Sequence, residues 1–145
     1  MIVKFKKLHP NATLPIYSTE HAACMDLTSV DYDYTNYNSD IINYKIGLSV
    51  EIPTGFVGLL FPRSSIRKTD LVLSNSVGVI DSDFRGEIIA SFRYVSNEEI
   101  DSTRYEIGER CCQLMIIPIP KIEPIFIDEL SNTERGSGGF GSTGT

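Results

Sequence analysis

Histidine and cysteine are scarce in this chain of 145 residues, at two and three respectively. Cys24, Cys111 and Cys112 are odd in number and two of them are adjacent, a pattern that gives neither a disulfide framework nor zinc-ligand spacing. It points to a reduced, intracellular setting. No base and nucleophile pair is evident around the histidines, which argues against Ser-His-Asp or Cys-His catalysis, and His21 reads as a surface residue. Net positive charge is also missing. The net charge of -6 and pI near 4.8 argue against a surface that coats nucleic acid. Long apolar runs are absent: "MIVKFKKLHP" is too short for a signal peptide, and nothing approaches the length of a membrane span. The expectation is a soluble intracellular protein without membrane or nucleic-acid partners, and no targeting run separates cytoplasm from nucleus.

Helical periodicity is the last absence, since no window of a dozen residues carries it. Short segments of β-branched and aromatic residues bounded by Gly, Pro, Asn or Asp stand in its place. Strands are predicted at Ile2 to Phe5, Tyr44 to Ile52, Phe56 to Phe61, Glu87 to Val95, Gln113 to Ile119 and Ile122 to Ile127. A Pro-Thr-Gly turn joins the second and third of these. The tyrosine-rich "DYDYTNYNSD" (31–40) reads as a surface connection. The length and 41% hydrophobic content suit one domain with a real core. An all-β sandwich, jelly roll or barrel follows, with at most one short helix after "PRSS". The core spans 1–130 and a tail spans 131–145, where "RGSGGFGSTGT" holds five of the chain's 11 glycines. Such a run loses much entropy when ordered. Its arginine, phenylalanine and hydroxyl side chains also suit a lid over a phosphorylated aromatic molecule.

Four internal stretches could carry chemistry. "NSVGVIDSDFRGEI" (75–88) predicts a β-hairpin whose tip brings Asp81 and Phe84 together and whose backbone offers donors and acceptors to a flat heterocycle. Asp81 and Asp83 fit an ordinary turn as well, and two carboxylates without further spaced ligands are weak evidence for a metal. In "PRSSIRKT" (62–69), Arg63 offers a planar fork for phosphate, with Ser64 and Ser65 as donors at a helix start; a capping turn with a surface arginine fits equally. Asp26, set among small and apolar residues in "HAACMDLTS" (21–29), needs an assigned partner. "GERCCQLMIIPI" (108–119) puts Arg110 and Gln113 at the start of a buried strand, where Arg110 reads as a structural salt bridge.

Taken together, "AACMDLTS", "PRSS", "VGVIDSDFRGEI", "GERCCQL" and "RGSGGFGSTG" resemble the five ordered motifs of the homotrimeric dUTP pyrophosphatases (dUTPases). The resemblance covers nearly the whole chain. It implies a distorted β jelly roll, three active sites at subunit interfaces and a flexible C-terminal arm that closes over a site built mainly by other chains. It further implies Mg²⁺-dependent hydrolysis of dUTP to dUMP and pyrophosphate by water attack on the α-phosphorus. Through the resemblance, Asp81 would orient the water and contact the 3'-hydroxyl, Asn75 and the backbone near Gly78 would read uracil, and the ring of Phe84 would pack on deoxyribose. Arg63, Ser64, Ser65 and Gln113 would hold the phosphates. On the arm, Phe140 would stack over uracil, while Arg135, Ser142 and Thr143 would grip the terminal phosphate beside Gly141. Mg²⁺ would bind the phosphates and meet Asp26 and Gln113 through water.

Three positions depart from the family pattern: Cys24 and Ser65 replace glycines, and Phe84 replaces tyrosine. One rival reading is a dCTP deaminase, whose third motif carries a catalytic glutamate where Arg85 stands here. Another is a regulatory nucleotide-binding module of the same fold.

Overall fold

The computed structural model describes residues 1–35, 38–95 and 104–139. Strands β1 (Lys4–Lys7), β2 (Met25–Thr28), β3 (Asp31–Thr35), β4 (Asn38–Glu51), β5 (Phe56–Pro62), β6 (Leu71–Leu73), β7 (Gly78–Ile80), β8 (Glu87–Tyr94) and β9 (Arg110–Pro118) form two antiparallel sheets. One sheet runs β1-β4-β8-β6, with β3 also on β4; the other runs β2-β9-β5-β7. A single 3-10 turn, Ser64–Lys68, follows β5. This all-β arrangement is that of a jelly roll. No helix among the described residues is long and apolar enough to cross a membrane.

The core lies between the sheets and follows from alternation. Ile42, Tyr44, Ile46, Leu48 and Val50 of β4 point inward, as do Ile88, Ala90 and Phe92 of β8, and all are buried. Across the layer they meet Leu60, Ile80, Cys112 and Leu114. At the aromatic end, Tyr44, Phe92 and Tyr105 pack with ring centroids 5.8–6.0 Å apart, and the Tyr44 hydroxyl donates to the Tyr105 carbonyl at 2.9 Å. Alternation breaks at Cys111. There Leu27 pairs with Cys112 and Thr28 with Arg110, so Cys111 is the extra residue of a bulge and both adjacent thiols face inward. Their sulfurs lie 3.8 Å apart, and the Cys111 contact and burial together push the Cys112 thiol well up, which keeps it protonated and inert.

Several predicted elements fall differently. The stretch 31–40 is no surface connection: β3 and the start of β4 pair there, with 36–37 outside the described residues. Its carboxylates line the outer face, Asp33 binding Lys45 at 2.9 Å, while Arg104 stacks 4.8 Å over the Tyr32 ring. Ile122 to Ile127 forms no strand and pairs with neither sheet. Ile122, Ile125, Phe126 and Leu130 are left exposed. The predicted hairpin at 75–88 is also absent: β7 pairs with β5 in one sheet and β8 with β4 and β6 in the other. Residues 81–86 therefore make a corner between layers. The Pro-Thr-Gly turn does the same between β4 and β5.

Gly47 makes the long β4 strand workable. β1 pairs with its end at 48–51 and β3 with 38–45, on the same edge, and the register shifts between Lys45 and Ser49. Gly47 sits in that shift at φ +68°, and a Cβ there would stand 2.7 Å from His9 Cβ and 2.9 Å from Val30 Cγ2. Gly47→Ala should therefore lower stability by about 2–4 kcal/mol through overpacking plus a left-handed backbone at a residue bearing a Cβ. Urea unfolding checks this; a midpoint equal to that of the unmodified chain would show that the bend tolerates a side chain.

Candidate active site

Edge strand β7 builds one side of a recess of about 310 Å³ lined by Leu60, Asn75, Gly78, Val79, Ile80, Asp81, Phe84, Glu87, Ile88 and Ile89. Because β7 pairs only with β5, its outer row of backbone groups has no strand partner among the described residues. Such a row suits the alternating acceptors and donor of a pyrimidine edge. Asn75 reaches the recess from a tight turn in which Ser76 adopts φ +61° and Val77 N donates to Asn75 O at 2.6 Å. Gly78 keeps the strand close to β5, since a Cβ there would touch Leu60 Cβ at 3.0 Å and Asn75 Nδ2 at 3.5 Å. Asp81 and Phe84 sit on the corner that follows, both exposed, with Phe84 N donating to Asp81 O at 3.1 Å. Glu87 is committed to the fold, accepting from Gly47 N at 2.9 Å.

A second recess, about 450 Å³, is lined by Ser18, Ala22, Ala23, Cys24, Asp26, Arg63, Ser64 and Gln113. Its anchor is Asp26, 8% exposed, which accepts from Arg63 Nε at 2.7 Å and Nη2 at 3.1 Å, Arg110 Nη1 at 3.0 Å and Ser18 Oγ at 2.6 Å. Burial by itself would raise the carboxyl's pKa, but the bonds from Ser18 and Arg63 and the charges of Arg63 and Arg110 outweigh it and hold Asp26 below its ordinary value. Gln113 lies beside Asp26 in the β2–β9 register and donates Nε2 to Pro62 O at 2.9 Å, leaving Oε1 as its remaining acceptor. Cys24 lines the same recess, and burial first, then Asp26, raises its thiol pKa.

The predicted residues thus divide. Asn75, Gly78, Asp81 and Phe84 gather in the first recess; Asp26, Arg63, Ser64 and Gln113 gather in the second. Ser65 turns elsewhere, its hydroxyl 3.1 Å from the Tyr105 hydroxyl. Arg135 is exposed, with Nε donating to Gly138 O at 2.9 Å. Phe140, Gly141, Ser142 and Thr143 lie outside the described residues. Arg63 uses its fork on Asp26, with Nη1 given to Arg110 O at 3.3 Å. Ser18 escaped the sequence reading, because nothing in "YSTEH" signals that its hydroxyl would complete a network around Asp26.

No group of three or more His, Cys, Asp or Glu among the described residues could hold a metal directly. Both oxygens of Asp26 are spoken for, so a hydrated ion is the form of cation this recess fits.

Because the folded-state pKa of Asp26 is depressed, its network stabilises the fold fully above the unfolded value of about 3.9 and loses that contribution as pH falls through the folded value. Asp26→Asn should cost about 1–3 kcal/mol at neutral pH, less than a fully buried pair because Arg63 and Arg110 stay partly solvated. It should also flatten the decline of the urea midpoint below pH ~4. An unaltered acid profile in the variant would contradict the network's role.

The sequence model of the dUTPase family matches residues 10–144. A deoxyuridine 5'-triphosphate nucleotidohydrolase of Hydrogenobaculum sp. (strain Y04AAS1) is 39% identical over 140 residues, covering 96% of this chain and 95% of that protein. The enzyme of the same name from Escherichia phage T5 is 39% identical over 153 residues, covering 99% of each. Among solved structures, Staphylococcus bacteriophage 80alpha dUTPase with dUPNHPP aligns with TM-score 0.82 at 28% identity over 99% of both chains. Two recesses built from four of the five recognised motifs, on a jelly roll matched along nearly its whole length, make this chain an enzyme of dUTP hydrolysis, and it belongs to the dUTPase family.

Proposed function

We propose that the catalytic centre is shared among three copies of this chain. The Asn75–Phe84 recess of one subunit takes uracil and deoxyribose, and the Asp26–Arg63 recess of a second takes the phosphates. Residues 131–145 of a further copy close over both. One observation carries this reading: the first recess holds two carboxylates, Asp81 and Glu87, and no cation, whereas the arginine lies in the second. A triphosphate beside two carboxylates in a recess lined by no cation is electrostatically unfavourable. Cations brought by another subunit remove that difficulty.

Within this arrangement the edge of β7 and the Asn75 amide hydrogen-bond the uracil edge. Phe84 presents a ring without a hydroxyl to the sugar, so a 2'-hydroxyl would be buried against carbon with no partner. The Asp81 carboxylate has no hydrogen bond or ion pair among the described residues, which leaves it available to accept from a water and aim it at the α-phosphorus. The water's oxygen forms the new P–O bond as the bond to the bridging oxygen breaks, releasing dUMP and pyrophosphate. Arg63 and Ser64 steady the phosphates, and proximity supplies much of the rate. Ser65 donates its hydroxyl proton to a phosphate oxygen while the Tyr105 hydroxyl acts as the donor between the two. Mg²⁺ bound with the nucleotide supplies charge neutralisation at the phosphate oxygens. Asp26 and Gln113 Oε1 would hold it through its hydration shell. On the arm, Phe140 covers uracil, Gly141 allows close backbone approach, and Arg135, Ser142 and Thr143 bind the terminal phosphate.

Asp81→Asn should lower kcat by roughly 10²–10⁴ while changing the dissociation constant for dUTP only a few-fold, since only water activation is lost. Turnover at the original rate in this variant would remove Asp81 from the mechanism. The sharing of sites has its own test. Asp81→Asn chains and chains ending before Arg135 should each be inactive, and co-refolded mixtures should regain activity, because some mixed assemblies hold a site with both parts intact. An inactive mixture of well-folded trimers would put acid and arm in the same chain's site.

A further inference from the structure

The corner between β7 and β8 carries both the acid and the ring, yet Asp81, Asp83, Phe84, Arg85 and Gly86 are all exposed. Core packing therefore does not hold its shape. One backbone bond, Phe84 N to Asp81 O at 3.1 Å, closes the turn. Arg85 adds two more: its Nη1 donates to Ser82 O and to Phe84 O, each at 2.7 Å. A single guanidinium nitrogen thus bridges the peptide after Ser82 and the peptide after Phe84, the two groups that bracket the sugar-facing ring.

That clamp acts on a ring with little freedom to spare. Phe84 lies across Gly86, where a Cβ would stand 2.5 Å from Cζ and 2.8 Å from Cε2. Rotating the peptide after Phe84 moves the ring off this glycine shelf and shifts Asp81 through the shared turn. Arg85 lies on the outer side of the corner. It lines a separate recess of about 300 Å³ with Lys4, Lys6 and Glu51, and Lys4 first, then Arg85, helps hold the Glu51 carboxyl below its ordinary range.

We infer that Arg85 is a positioning residue for the reaction, clamping the Ser82 and Phe84 carbonyls so that Asp81 and the Phe84 ring keep their mutual placement. It touches neither the water nor the sugar and acts only through the turn. The inference rests on the reading of Phe84 as the sugar-facing ring and Asp81 as the water-orienting acid, and the experiment separates the two.

Arg85→Ala, Arg85→Lys and Phe84→Ala would be compared with the unmodified chain for kcat and KM on dUTP and UTP, with thermal midpoints alongside. Arg85→Ala should keep its midpoint within about 4 °C, as exposed substitutions do. It should lower kcat on dUTP, and the dUTP-to-UTP ratio of kcat/KM, each on the order of tenfold. Arg85→Lys should recover most of both, because one ammonium can donate to the same two carbonyls. An unchanged ratio and kcat in Arg85→Ala, with the ratio lowered in Phe84→Ala, would reduce Arg85 to a surface cation and overturn the inference alone. Equal losses on both substrates with a fallen midpoint and no rescue by lysine would make its role structural. An unchanged ratio in Phe84→Ala would overturn the reading of the ring itself, and the clamp's purpose with it.

Discussion

A carboxylate withdrawn from water must be met by charge or hydrogen bonds, and Asp26 is met by both. Its partners come from across the chain: Ser18 lies 8 residues away, Arg63 lies 37 away and Arg110 lies 84 away. Strand β2, the exit of β5 and the start of β9 are therefore pinned at one atom pair. That pin sets where the Asp26–Arg63 recess opens and brings Gln113 beside it. It also fixes Arg63 in place by its fork, so the arginine is pre-organised before any ligand arrives, at the expense of some of its donors.

The other half of the site arises from a failure to form a hairpin. Had β7 turned back on itself, its outer edge would have been covered by β8 and its backbone groups consumed. Instead the chain crosses to the opposite sheet after Ile80. The crossing leaves β7 with a bare edge and throws Asp81 and Phe84 onto the corner beside it. The proposed seating of a flat base and aiming of a water draw on those two features together. The Gly47 bend contributes from a distance: its N–H holds the Glu87 carboxylate, so one of the two acids lining the recess is engaged in the fold rather than in chemistry.

Much of this was readable in advance, for reasons tied to particular residues. Strands β5, β8 and β9 follow runs of β-branched and aromatic residues bounded by turn residues, and the short 3-10 turn begins at Ser64, inside "PRSS". The motif order singled out Asp81, Phe84 and Arg63. Misreadings came where a local pattern had two tertiary outcomes. "DYDYTNYNSD" has the polarity of a loop, but its alternate tyrosines pack along a strand and its acids face Lys45. Ile122 to Ile127 has the composition of a strand, yet it pairs with no strand among the described residues.

What the sequence determined by itself is therefore local: which segments extend, which turn, and which residue types stand at motif positions. Those depend on backbone preference and on side-chain periodicity, both of which are written in neighbours along the chain. Only the tertiary structure decided which sheet each strand joined, that Ser18 and Arg110 would complete the shell of Asp26, and that the motif residues would line two recesses instead of one. Such outcomes rest on pairings between distant residues, where the free energy of burying a charge or covering a strand edge is settled by whichever partner the whole fold brings within reach.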